Sequence, residues 1–183
     1  MRRSYGLVKG VSSLFVVALL AACGGGGGDD DTGGGTPPPS GGTPLTVGVP
    51  GLVGDWLENG CVSAGAQSFK RLTRATEVTP TSIAYGSGVI TYPNTTCAGP
   101  GSLVGPSNLG TVVFSRAESN AQVAASWGIF TTVTNTTSAV IWAKRSETVL
   151  CLLGDSTPSI QPTLAAVASS LSTLPESACF TRQ

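Results

Sequence analysis

The chain has 183 residues, of which 11% are charged, with ten Lys and Arg against ten Asp and Glu, so its formal net charge is zero. A neutral chain lacks the basic face that nucleic-acid binding requires, which argues against a polyanionic partner. It has no histidine, 25 glycines and 12 prolines, so Ser-His-Asp and Cys-His catalysis are excluded, and turns and extended strands are favoured over long helices.

Arg2, Arg3 and Lys9 give a basic start, followed by an apolar run from Val11 to Ala22. As a helix that run spans about 18 Å, well short of the roughly 30 Å hydrocarbon core of a bilayer. Residues 1–22 therefore read as an export signal and not as a permanent membrane span. Leu20-Ala21-Ala22-Cys23 resembles the lipobox of bacterial lipoproteins. That resemblance implies cleavage before Cys23, a diacylglycerol on its sulfur and acylation of the new amino terminus. Each buried methylene contributes about 0.8 kcal/mol, so two or three chains make a stable anchor. In that family an Asp after the cysteine retains the protein in the inner membrane. Gly24 instead implies the cell outer membrane.

Residues 23–44 form the tether. GGGGGDDDTGGGTPPPSGGTP has no periodicity and nothing to bury, so it reads as a disordered spacer with an end-to-end distance of roughly 25 Å. Asp29, Asp30 and Asp31 are not preorganised to supply the six to eight or so oxygens that calcium takes. They read as solvating charges.

Residues 45–183 form one domain with one core, and its reading is β-rich. Gln67 to Val78, Ser82 to Tyr92 and Thr111 to Ser115 are strand candidates, with Gly and Pro clusters between them. Val123, Ala125, Trp127, Ile129 and Val133 fall on alternate positions, the period of a half-buried strand. Ala139–Ala143 and Thr148–Leu153 are short apolar runs, with a hairpin turn expected at Lys144, Arg145 and Ser146. Leu164, Val167, Ala168 and Leu171 make one apolar helical stripe. With Pro162 tolerable only in a first turn and Pro175 beyond the end, a helix over about 160–172 is expected. A last strand is expected around 178–181. The fold class is mainly β: an antiparallel meander barrel or a sandwich, with one C-terminal helix.

Cys61, Cys97, Cys151 and Cys179 remain once Cys23 is set aside. An even number in an exported domain reads as two disulfides. Three connectivities are open. Cys61–Cys97 with Cys151–Cys179 is preferred, because closing near neighbours needs the least chain. The spacings do not fit a zinc site and no histidine could complete one. No metal or cofactor is expected. Nor does enzyme chemistry find a foothold: there is no SxxK spacing, and Asp55 and Glu58 would face opposite sides of a strand as solvated turn charges.

Gly54-Asp55-Trp56 resembles the GxW signature of lipocalins. In that family the tryptophan opens the first strand and plugs one end of an eight-stranded barrel, and an arginine packs across it. Arg145 and Arg182 are the candidates for that arginine. The late strands, helix and short last strand are similar too. Two functional readings follow. One is a non-enzymatic binding or interaction module held at the outer membrane by its lipid, with an unknown protein partner. The other is a lipocalin-like carrier of a small apolar ligand. Trp56, Tyr85, Phe114, Trp127, Phe130 and Trp142 would line its cavity if they point inward; the plainer expectation is that they fill the core. An apolar cavity of about 300–1,000 Å³ separates the two readings.

Overall fold

The computed structural model describes residues 42–153 and 161–183. The expected export signal, Cys23 and the expected tether up to residue 41 lie outside the described residues. After an extended start comes a one-turn helix, α1 (Val49–Leu52). Strands β1 (Gly54–Glu58), β2 (Val62–Ala64), β3 (Gln67–Thr79), β4 (Ser82–Tyr92), β5 (Ser102–Ser119), β6 (Ala124–Thr132), β7 (Thr137–Ser146) and β8 (Val149–Leu152) follow. Helix α2 (Leu164–Thr173) and strand β9 (Phe180–Arg182) end the chain.

All the strand pairs are antiparallel, and β3 to β8 form a meander. Strand β9 then inserts between β8 and β1, and β1 pairs back onto β3 from Gly54↔Ala75 to Leu57↔Leu72. This closes an eight-stranded barrel, the first of the two architectures expected. Strand β2 lies on the same edge of β3 further along (Val62↔Phe69), as a ninth strand outside the ring. The two disulfides are Cys61–Cys97 and Cys151–Cys179, the preferred connectivity.

Turn chemistry explains the strand ends. Between β5 and β6, the Asn120 side chain accepts from the N–H groups of Gln122 (2.9 Å) and Val123 (2.8 Å), an Asx turn. Between β6 and β7, Asn135 adopts φ 63°, the left-handed region that Asn tolerates. Before α2, the Thr163 side chain caps the Ala166 N–H. The helix therefore starts at Leu164, and Pro162 lies before it and not in its first turn. Strand β9 is shifted by a residue or two from the expected 178–181, because residues 176–178 form a 3-10 turn.

The β7–β8 turn corrects the sequence reading. It falls at Glu147 and Thr148, and Lys144, Arg145 and Ser146 are strand residues. Lys144 is 1% exposed, and its Nζ donates to the Thr46 carbonyl at 3.0 Å and to Glu147 Oε2 at 2.5 Å. The ammonium thus ties the entering chain to the barrel end. Thr46 N–H also donates to Glu147. Gly51 sits against this crossing, where a Cβ would come within 2.3 Å of the Thr46 carbonyl oxygen.

Lys144 and the Thr46 N–H together hold the Glu147 carboxyl at about 2, against an ordinary 4.5. A carboxyl acidified by folding stabilises the fold above 4.5 and loses that contribution as pH falls toward 2. Glu147 is half-exposed, so screening limits the effect to about 1 kcal/mol or less. Glu147→Gln is expected to flatten that part of the acid limb. Urea midpoints measured across the window would show it; an unchanged slope would contradict the pairing.

Two apolar clusters share the wall formed by β6, β7 and β8. Inside the barrel lie Val49, Leu52, Trp56, Ile83, Val112, Phe114, Trp142, Leu150 and Phe180. Outside, beneath α2, lie Val123, Ala125, Trp127, Ile141, Ala143, Val167 and Leu171, with Cys151 and Cys179 among them. Strands buried on both faces read as continuous apolar runs, which accounts for Ala139–Ala143. It also explains the alternating set on β6. Ala125 and Trp127 face the helix, and the inward positions of β6 carry Ala124, Ser126, Gly128 and Phe130. At Gly128 a Cβ would come within 2.5 Å of the Val113 carbonyl oxygen and 3.0 Å of the Phe114 ring, so Phe114 packs over bare backbone.

Candidate ligand-binding site

The two ends of the barrel differ. At one end α1 crosses the opening and Trp56 plugs it. Trp56 is fully buried, its Nε1 donates to the Leu52 carbonyl at 2.8 Å, and the Arg182 guanidinium lies 4.5 Å from its ring centroid. Arg182 also donates to the Gly51 carbonyl at 2.8 Å, pinning helix, tryptophan and last strand together. Arg145, the other candidate, instead donates to the Leu171 and Leu174 carbonyls at the end of α2.

Toward the other end the interior is not filled. A cavity of about 330 Å³ is walled by the aromatic rings of Tyr85, Phe130, Trp142 and Phe180 and by Val112, Val140 and Leu152. Tyr85 holds the aromatic wall together: it meets Phe130 edge-on at 5.4 Å and 73°, and Trp142 at 5.4 Å and 84°, the geometry that ring quadrupoles prefer. Phe114 supports Trp142 from below at 6.1 Å. Ser138, Ala178 and Arg71 complete the lining.

Arg71 stands at the rim. Its guanidinium lies 5.3 Å from the Phe180 ring centroid, and its Nη2 donates to Glu58 Oε1 at 2.9 Å. Glu58 is thus a strand residue in an ion pair, not a turn charge. Asp55, on the opposite face of β1, is the same: Arg74 Nε and Nη2 both donate to it at 2.6 Å. That bidentate bond holds the Asp55 carboxyl below its ordinary value.

Beyond Arg71, β3, β4 and β5 run on past the closed ring with β2 alongside, as a lip above the cavity. By register, Val62, Phe69, Val89 and Val104 continue the inward face. Val62, Val89 and Val104 are exposed, Val104 by 72%. The outer side of the lip is buttressed by the 93–101 loop. There Cys97 N–H donates to Ser68 Oγ at 2.8 Å and Cys61–Cys97 staples β2 to the loop.

The aromatic residues singled out from sequence therefore separate into three groups. Tyr85, Phe130 and Trp142 line the cavity. Trp56 and Phe114 lie in the core below it. Trp127 lines no part of it and is core, as the plainer expectation has it, but in the cluster outside the barrel, its Nε1 bonded to the Gln161 carbonyl at 2.8 Å and its face covered by Arg116 at 3.8 Å. Sequence reasoning missed Arg71 and Phe180. The only signal for them was register, since odd positions of β3 point inward once Trp56 is paired with Thr73. A depression of about 340 Å³ also lies outside, between α2 and Val123, but it is open and Arg145 is already committed there. No family profile, no curated protein and no solved structure matches the chain.

Proposed function

We propose that this chain is a lipid-anchored, lipocalin-like binding protein of the cell envelope whose barrel takes up a small, largely apolar ligand. The observation that carries the reading is the cavity of about 330 Å³ walled by four aromatic rings, within the size range of small-molecule sites and lying toward the end opposite the Trp56 plug. A barrel stabilised purely by core packing has no reason to leave such a void, since unfilled apolar space costs about 24 cal/mol per Å³ where a core side chain has been cut back. The exposed valines of the lip extend the same apolar surface outward. The Trp56–Arg182 stack supports the lipocalin likeness, as it is the feature that the GxW resemblance implies. The reading is non-enzymatic: transport or sequestration, with no reaction assigned.

Native mass spectrometry of the exported chain tests it. Extra mass that disappears on denaturation, from an apolar small molecule, is the expected result. A chain that is bare, and that also fails to take up an apolar fluorophore, would contradict the reading. Val140→Trp, which fills the cavity from its wall, is expected to reduce fluorophore uptake at least about tenfold while the thermal midpoint moves by only a few degrees. The anchor is tested separately. Cys23→Ser is expected to block palmitate labelling and processing, and labelling that persists in the variant would rule out lipid on Cys23.

A further inference from the structure

We propose, resting on the reading of the barrel interior as a ligand site, that the ligand carries a carboxylate and that Arg71 receives it. Arg71 is the one charged side chain among the described residues that line the cavity. Its guanidinium is placed at the rim by two contacts that leave most of its donors unused. The Phe180 ring lies beneath it at 5.3 Å, and only Nη2 is taken, by Glu58 Oε1 at 2.9 Å. Neither Nε nor Nη1 has an acceptor among the described residues. Glu58 is the less available of the two to a ligand: its side chain is 17% exposed against 50% for Arg71, and its charge already faces the guanidinium. The rim thus presents a planar fork with open donors above an aromatic pit. That arrangement suits a carboxylate held by a charge-assisted bond from Nε or Nη1, with its apolar body below the guanidinium. Glu58 orients the fork and at the same time repels the incoming acid, which sets the affinity and supplies a diagnostic.

The test compares 2-naphthoate with 2-naphthamide, which share a two-ring body and differ in the head group. Binding is followed by quenching of tryptophan fluorescence, with the full chain held in lipid nanodiscs so that no detergent competes. In the unmodified chain the acid is expected to bind about tenfold more tightly than the amide. Arg71→Met is expected to weaken the acid alone and erase the difference, and Glu58→Gln to strengthen the acid alone. Equal binding of acid and amide in the unmodified chain would overturn the proposal and leave the cavity reading standing. So would equal weakening of both by Arg71→Met, which would make Arg71 part of the wall only. If neither probe quenches in any folded variant, the cavity reading itself fails and this proposal fails with it.

Discussion

Trp56→Ala is expected to lower the unfolding free energy by about 3–5 kcal/mol, the range for cutting a large aromatic out of a packed interior. Three things are lost together. The indole is fully buried, so its whole surface is taken from the core. Its Nε1 bond to the Leu52 carbonyl goes, which frees α1 from the barrel end. Arg182 loses the ring it covers, and its Nε is already buried without a partner among the described residues. Since Arg182 lies on β9 and Trp56 on β1, the damage falls on the seam where the barrel closes. Chemical denaturation with tryptophan fluorescence from the two remaining indoles would measure it. A loss under about 1 kcal/mol would mean that the closed end contributes little and that closure is held by the β1–β3 pairing alone.

The two disulfides are expected to differ sharply in what their removal does, although a chain-entropy argument treats them alike. Their loops are similar, with sequence separations of 28 and 36, and either cross-link should stabilise by roughly 3–4 kcal/mol through the unfolded chain. The native surroundings break the tie. Cys151 and Cys179 are fully buried beneath α2 among Ile141, Val167 and Leu171. Replacing both by alanine also opens a void in that layer, and a total of about 4–5 kcal/mol is expected. Cys61 and Cys97 join β2 to the loop behind the lip, where Cys61 is exposed. Without that bond the lip can detach while the ring of eight strands stays closed. Hydrogen exchange should therefore show β2 and the 93–101 loop opening locally in the Cys61→Ala/Cys97→Ala chain. The thermal midpoint should fall less than in the other pair. Equal losses in both double variants, with no local opening, would show that the lip and barrel unfold as one unit.

Strand existence was largely legible in the sequence, and strand sidedness was not. Strand β4 is bounded by Pro80 and Pro93 and was read at its full extent, Ser82–Tyr92. The long β5 is legible only at Thr111–Ser115, because Gly, Pro, Ser and Asn take most of residues 101–110. Those residues are held extended by pairing with β4, a tertiary effect that local propensity does not report. On β6 the two-residue period was real, but a period says nothing about which face is inside when helix α2 covers the outer one. The period alone therefore leaves the side of Trp127 open, and the structure puts it outside, under α2. Lys144 looked like a turn charge because buried lysines are rare; its partners, Thr46 and Glu147, meet it only after the chain end folds across the barrel. The cavity was legible as a possibility through Tyr85, Phe130 and Trp142. Arg71 was not, since its place at the rim depends on where β1 and β9 close the ring, and that pairing joins residues near 56 to residues near 181.

The first described residues enter the barrel at its plugged floor. Leu45 N–H donates to the Asn120 carbonyl at 3.0 Å, and Thr46 is clasped by Lys144 and Glu147. A leash from a lipid on Cys23, as proposed above, would join the barrel at its base, beside Lys144 and Glu147. The opening, with Arg71 and the valine-faced lip, lies at the other end of the barrel from that attachment. A tether at the base would leave the mouth of the barrel unobstructed by its own attachment, so that whatever enters need not pass the anchor.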